Sequence, residues 1–381
     1  MAPSAGIKNS SPYLTGLELK FLEESVALGN WAGDGPFSEK CCALLSELTG
    51  SPVFLTPSGT HALELGLMSL NLAPGDEVIL PSYTFVSTAN ALVINGLKPV
   101  FVDIRSDTLN LDEKLIEQAI TKKTKAILPV HYAGVAAEMD AINSIAKKQG
   151  LTVIEDAAQG VNAYYKERPL GSLGDLGAFS FHQTKNFTCG EGGALVVSNK
   201  ELLHRIQIHR QKGTDRTRFL KGEVDKYTWV DRGSSYLMSD LLAAFLYAQL
   251  QSMNEITLKR KKLFNYYLDG LRPLSNHYFQ LPIIPSTCQS NYHLFYLLLE
   301  NNQLRNRLQA YLKEHNIEAS THFEPLHDSK GGKKYGVVRG PMTVTNNIAA
   351  NILRLPLLTD MTQEEQDRVV DALESFFKGS I

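Results

Sequence analysis

The chain has 381 residues, with 38 Lys and Arg against 40 Asp and Glu, for a formal charge of −2. Hydrophobic residues make up 43% and charged residues 20%, close to the globular average, which excludes disordered, collagen-like and disulfide-scaffold chains. So small a net charge leaves no basic footprint for nucleic acid or for an anionic membrane surface, while local groups can still hold a small anionic substrate.

Apolar runs of strand length alternate with helical patterns through the first two-thirds. Strands are expected at residues 77–80, 99–102, 126–129, 152–154, 178–182 and 193–197, and helices at 59–70, 88–95, 112–119 and 139–148. Such alternation predicts βαβ units and a covered, mainly parallel sheet. Between 182 and 193 there is no crossover helix, so an antiparallel partner is expected there. One long helical segment follows over 238–268, then a break at Leu281-Pro282-Ile283-Ile284-Pro285, a strand at 292–299 and a helix at 303–315. The last helix, 362–377, opens on Thr362 with Glu365 three residues on, a capping-box pattern. The length suits about two domains, with a boundary near residue 252 and a small C-terminal α+β domain.

Cysteine usage points to a reducing compartment. Cys41 and Cys42 are adjacent, Cys189 and Cys288 are isolated, and none has the spacing of a disulfide framework or a zinc site, so no metal is expected. Residues 1–12 lack the basic and apolar regions of a signal peptide, and no run reaches the ~20 apolar residues of a membrane helix. The expected location is cytoplasmic.

Four features carry chemistry. The run Thr152-Val153-Ile154-Glu155-Asp156 ends a buried strand on Asp156, and carboxyl ends of strands are where open α/β sheets bind ligands. Capping the next helix is the plainer role for that carboxylate. Phe179-Ser180-Phe181-His182-Gln183-Thr184-Lys185 delivers Lys185 from an apolar strand into a short polar loop before Gly190-Glu191-Gly192-Gly193. Pro57-Ser58-Gly59-Thr60 opens an apolar helix with hydroxyls and free N–H groups suited to a phosphate, though a simple N-cap is the commoner use. Phe85, after the strand 77–80, could stack on a flat cofactor or pack in the core. A carboxylate, a lysine 29 residues later, a phosphate cradle and an aromatic together suit pyridoxal 5'-phosphate (PLP), which needs an acid for its ring nitrogen and a lysine for its aldehyde. No GxxxxGK[ST] or GxGxxG loop competes for the phosphate.

In these residues the chain resembles the DegT/DnrJ/EryC1/StrS sugar aminotransferases. The resemblance runs from Gly33-Asp34-Gly35 to the last helix and is most specific over 81–91, 129–135, 153–161, 179–194 and 225–240. It implies the fold type I (aspartate aminotransferase-like) α/β architecture. The large PLP domain, with an N-terminal arm, would span residues 1–252, and the small C-terminal α+β domain 253–381. By the same resemblance Lys185 carries the cofactor and acts as base, Asp156 holds the pyridine nitrogen, and Gln159 meets the ring hydroxyl. Ser58, Gly59, Thr60 and Ser180 bind the phosphate, and Phe85 stacks on the ring. Many relatives send an Asn of a Gly-Tyr-Asn stretch to the phosphate of a neighbouring subunit; here the stretch is Gly233-Ser234-Ser235, which offers Ser235 instead. The segment His322-Phe323-Glu324-Pro325-Leu326-His327 stands where relatives often show a Tyr-Pro pair and by the resemblance would border the substrate, with no role assigned to its single residues.

The implied reaction is a ping-pong transfer of an amino group from L-glutamate to C4 of a dTDP-linked 4-keto-6-deoxyhexose. Its products would be 2-oxoglutarate and dTDP-4-amino-4,6-dideoxy-D-galactose, made by a homodimer with shared active sites. Amination at C3, a UDP-sugar substrate and a non-catalytic PLP-binding regulator are the alternatives. Family dehydratases carry histidine in place of the lysine, so Lys185 argues against that activity.

Overall fold

The computed structural model describes residues 6–275 and 277–379. Of the stretch 1–12 read as lacking a leader, residues 1–5 lie outside the described residues. An eight-stranded sheet forms the frame, in the order 53–56, 193–197, 176–180, 152–156, 124–127, 77–81, 98–102 and 337–338. From 176–180 to 337–338 every pairing is parallel, whereas Gly193–Val197 runs antiparallel to both Leu176–Ser180 and Val53–Thr56. The twelve-residue loop without a helix, 181–192, accounts for that reversal, since only a crossover could return the chain in the parallel sense.

Helices cover the sheet because its strands are apolar on both faces. Strands 77–81, 176–180 and 193–197 are buried throughout. One core joins Phe37, Phe179, Phe181 and Leu246, and another joins Leu63, Leu80, Leu128 and Leu195. A second, three-stranded antiparallel sheet (279–280, 295–299, 352–355) packs against helices Met253–Leu271 and Gln363–Lys378 around Phe264, Tyr267, Phe295 and Leu373. The final helix has its capping box: Thr362 Oγ1 accepts from the Glu365 N–H, and Glu365 accepts from the Thr362 N–H.

Two expectations need correction, and one strand was not expected. The helical segment 238–268 is two helices, Asp240–Gln251 and Met253–Leu271, with Ser252 between them in a non-helical conformation that ends one and starts the next. The strand expected over 292–299 is Phe295–Leu299, because Tyr292 takes a left-handed φ of 56° that extended pairing excludes. Val53–Thr56, too short to stand out as a periodic run, supplies an edge strand the sequence did not suggest. Among the described residues no helix is long and apolar enough to cross a membrane.

Candidate active site

The carboxyl ends of the parallel strands open on a cavity of about 590 Å³. Strand Thr152–Asp156 delivers two successive carboxylates, and the two-residue period of a strand sends them to opposite faces. Glu155 is fully buried and consumed by structure: Oε1 accepts from the Leu173 and Gly174 N–H groups, and Oε2 from Gly171. Glu155 Oε2 also lies 2.8 Å from His131 Nε2; because His131 Nδ1 accepts from the Ala137 N–H, Nε2 carries the proton it donates. Asp156 faces the cavity instead. Its Oδ1 accepts from the Ala158 N–H at 3.1 Å and its Oδ2 from Thr88 Oγ1 at 2.7 Å. Since the Thr88 hydroxyl gives its proton to Asp156, the Thr84 hydroxyl, 2.7 Å away, donates to Thr88. This relay fixes the carboxylate plane.

Lys185 reaches the same cavity from the loop after strand Leu176–Ser180. The loop is held by the Lys185 N–H to the His182 carbonyl, Gln183 N–H to Gly190, and Cys189 N–H to Phe181. The half-buried amine makes no hydrogen bond among the described residues. Burial pulls its pKa from 10.5 down to about 8; the Asp156 charge opposes the drop and the Arg354 charge adds to it.

Helix Gly59–Ser69 points its N-terminus into the cavity. The Ser58 hydroxyl accepts from the His61 N–H and lies 3.0 Å from His61 Nδ1, so that side chain serves as the N-cap. The first-turn N–H groups of Gly59 and Thr60 keep no intrahelical partner, and Thr60 Oγ1 sits 2.7 Å from Ser87 Oγ. A Cβ at Gly59 would fall 2.9 Å from Ser180 Cβ, and one at Gly193 would fall 2.3 Å from the Ser58 carbonyl carbon. Glycine at both positions lets the phosphate-sized turn sit directly on the sheet.

The other expected residues divide. Phe85 is 57% exposed and lines the cavity, so core packing is not its role. Gln159 also lines it; its Oε1 accepts from the Ala133 N–H at 2.7 Å, which leaves Nε2 for a ligand. Ser180 borders the same space. Ser235 stands apart, exposed on a segment bridged to Gln211, outside the cavity of its own chain.

The C-terminal elements add His293 and Arg354, which local patterns could not reveal, beside the His322-Phe323 segment already singled out. His293 Nδ1 lies 2.9 Å from Asn186 Oδ1, and His322 Nδ1 lies 2.7 Å from Tyr132 Oη, with the His322 ring stacked on Phe323 at 3.7 Å. Burial holds both imidazoles well below the usual histidine range, so both are neutral at pH 7. Arg354, from strand Ile352–Leu355, completes the wall.

A buried carboxylate, a free and readily deprotonated amine, a phosphate-sized helix N-terminus and an exposed ring face match the four demands of PLP. Fold and site thus define a PLP-dependent enzyme of fold type I. The chain belongs to the DegT/DnrJ/EryC1/StrS aminotransferase family, which it matches over residues 14–374, and it is a sugar aminotransferase. Its fold is similar to that of the aminotransferase TlmJ from Streptoalloteichus hindustanus, at 26% identity over 98% of this chain and 99% of that one, with a TM-score of 0.89. It is also similar to DesV of S. venezuelae, solved in complex with a ketimine intermediate, at 30% identity over 97% and 99% of the two chains and a TM-score of 0.87. DesI, solved in the presence of its TDP-sugar product, is 27% identical over 97% and 92%, again with a TM-score of 0.87.

Proposed function

We propose that this enzyme transfers the amino group of L-glutamate to C4 of a dTDP-linked 4-keto-6-deoxy-D-glucose, as a dTDP-4-amino-4,6-dideoxygalactose transaminase working in the cytoplasm. The large domain would end near residue 252, and the C-terminal domain would close the site. A homodimer would let Ser235 of one chain serve the phosphate of the other. The observation that carries the reading is the shared cavity of Lys185 and Asp156 at the ends of adjacent parallel strands. The TDP-sugar product of DesI supports the nucleotide.

In this reading Asp156 Oδ1 and Oδ2, held by Ala158 and Thr88, keep a proton on the ring nitrogen of the cofactor. Bound PLP supplies an electron sink for the carbanion left when the donor loses its α-proton. Lys185 Nζ takes that proton, and its low pKa keeps an appreciable share of the amine neutral for the task. Gly59 and Thr60 anchor the phosphate through N–H groups, Gln159 Nε2 orients the ring hydroxyl, and Phe85 covers one face of the ring. The C4 ketone of the sugar is served by the same Lys185 amine, which returns a proton in the second half-reaction.

The test is a panel of nucleotide-linked keto-sugars with L-glutamate, reading the position and configuration of the new amine by NMR. The expected product is the 4-amino-4,6-dideoxygalactose linked to dTDP. Amination at C3, or turnover of UDP-linked ketones alone, would overturn the substrate while leaving the reaction class. A cofactor-loaded protein whose colour no amino donor bleaches would favour a binding role instead.

A further inference from the structure

His293 lines the cavity beside Lys185, and both residues also wall a separate cleft of about 10 Å³ shared with Gln159, Asn186 and Asn291. The tautomer of the imidazole follows from its partners. Asn186 Nδ2 donates to the Asn291 carbonyl at 2.8 Å, which turns Asn186 Oδ1 toward His293 Nδ1, 2.9 Å away. An amide oxygen only accepts, so Nδ1 carries the proton and donates it. Burial, reinforced by the Lys185 charge, keeps the ring neutral, and Nε2 therefore bears a bare lone pair. That lone pair meets no donor among the described residues.

The backbone that presents the ring is firmly placed. Arg260 Nη2 donates to the His293 carbonyl at 2.8 Å, and Arg260 Nε to the Tyr292 carbonyl at 3.0 Å. Asn291 Nδ2 donates to the Gln159 and Val161 carbonyls, both at 2.8 Å. The turn is thereby tied to the long helix Met253–Leu271 and to the segment that follows Asp156. A buried polar atom left unpaired is costly, and this one is fixed beside a lysine whose amine is equally unpaired.

We propose that His293 is a positioning residue for Lys185: its Nε2 accepts a hydrogen bond from the amine whenever the amine is not joined to the cofactor, a role that rests on the transaminase reading of the site. The two groups are complementary, a donor without an acceptor and an acceptor without a donor. A cleft of about 10 Å³ holds one water at most, so no group of the amino donor or the sugar reaches Nε2 through it. The absence of charge matters as well. A carboxylate partner would hold the lysine as ammonium, whereas a neutral imidazole fixes one N–H and leaves the nitrogen lone pair to be aimed at the α-carbon. An imidazole held so far below its usual range does not take the proton itself.

Two substitutions separate the ring nitrogens. His293→Gln keeps an acceptor near the place of Nε2 and loses the Nδ1 donor; His293→Asn keeps a donor near Nδ1 and loses the acceptor. Full-length protein stripped of cofactor is labelled at Lys185 with PLP and borohydride across a range of pH. An acceptor stabilises ammonium more than amine, so the midpoint should fall in His293→Asn and stay near wild type in His293→Gln. Asp156 and Arg354, whose charges also act on the amine, are untouched. In the PLP-loaded enzyme, single turnover with L-glutamate should slow about 10- to 100-fold in His293→Asn, with a larger isotope effect from the α-deuterated donor, and recover in His293→Gln. Rescue in His293→Asn rather than in His293→Gln, wild-type behaviour in His293→Asn, or a sugar KM that rises in place of these effects would overturn the proposal and leave the transaminase reading intact. Should either variant fail to fold, nitrogen NMR of histidine-labelled wild type and Lys185→Ala decides. The His293 Nε2 resonance should move when the amine is removed, and an unmoved one would overturn the contact. Wild type that no amino donor bleaches would overturn the transaminase reading, while the labelling midpoints still decide the contact.

Discussion

The amine of Lys185 offers a measurement that bears on the site before any turnover. Burial draws its pKa from 10.5 to about 8. At pH 7 a lysine at the ordinary value is neutral to about 0.03%, and one at about 8 to about 10%, a roughly 300-fold gain in the reactive form. The assay starts from protein stripped of cofactor. PLP is added at a series of values between about pH 6 and pH 10, the bond is fixed with borohydride, and the labelled Lys185 peptide is counted by mass spectrometry. The rate should rise with pH and level off above a midpoint near 8. Two substitutions fix the sign. Asp156→Asn removes a negative charge that stabilises the ammonium, so the midpoint should fall; Arg354→Gln removes a cation that opposes it, so the midpoint should rise. A labelling rate that climbs through pH 10 with no inflection near 8 would refute the reasoning, as would shifts of the opposite sign.

Three substitutions probe the rest of the machinery. Lys185→Ala should still hold PLP, through the phosphate turn and Asp156, yet lose turnover by several orders of magnitude; full activity in coupled 2-oxoglutarate detection would remove Lys185 from its role. Thr88→Val deletes the 2.7 Å bond that orients Asp156 without touching the carboxylate, so kcat should fall about 10- to 100-fold with the melting temperature nearly unchanged. Gly193→Ala puts a methyl 2.3 Å from the Ser58 backbone and must push the phosphate turn off the sheet. We expect about 1–3 kcal/mol of destabilisation by denaturant titration and weaker PLP retention; an unshifted midpoint would show that the turn yields freely.

What could be read from the sequence follows how locally each feature is encoded. Asp156 was legible because an apolar strand ends on it, and the strand period already separates it from Glu155, whose four contacts consume it. Lys185 and the Ser58–Gly59–Thr60 turn were legible for the same reason, each being one short loop at the end of one strand. The division of labour inside that turn was not: that the Ser58 hydroxyl caps the helix while the next two amides stay free depends on the rotamer and on His61. Arg354 could not be singled out at all. It lies 169 residues beyond Lys185, in a strand whose neighbours in sequence are ordinary apolar residues, and only the pairing with 295–299 brings it to the cavity. His293 reaches Asn186 across 107 residues. The groups that suit PLP sit in local motifs of the large sheet, whereas His293 and Arg354 reach the same cavity through long-range packing of the C-terminal elements.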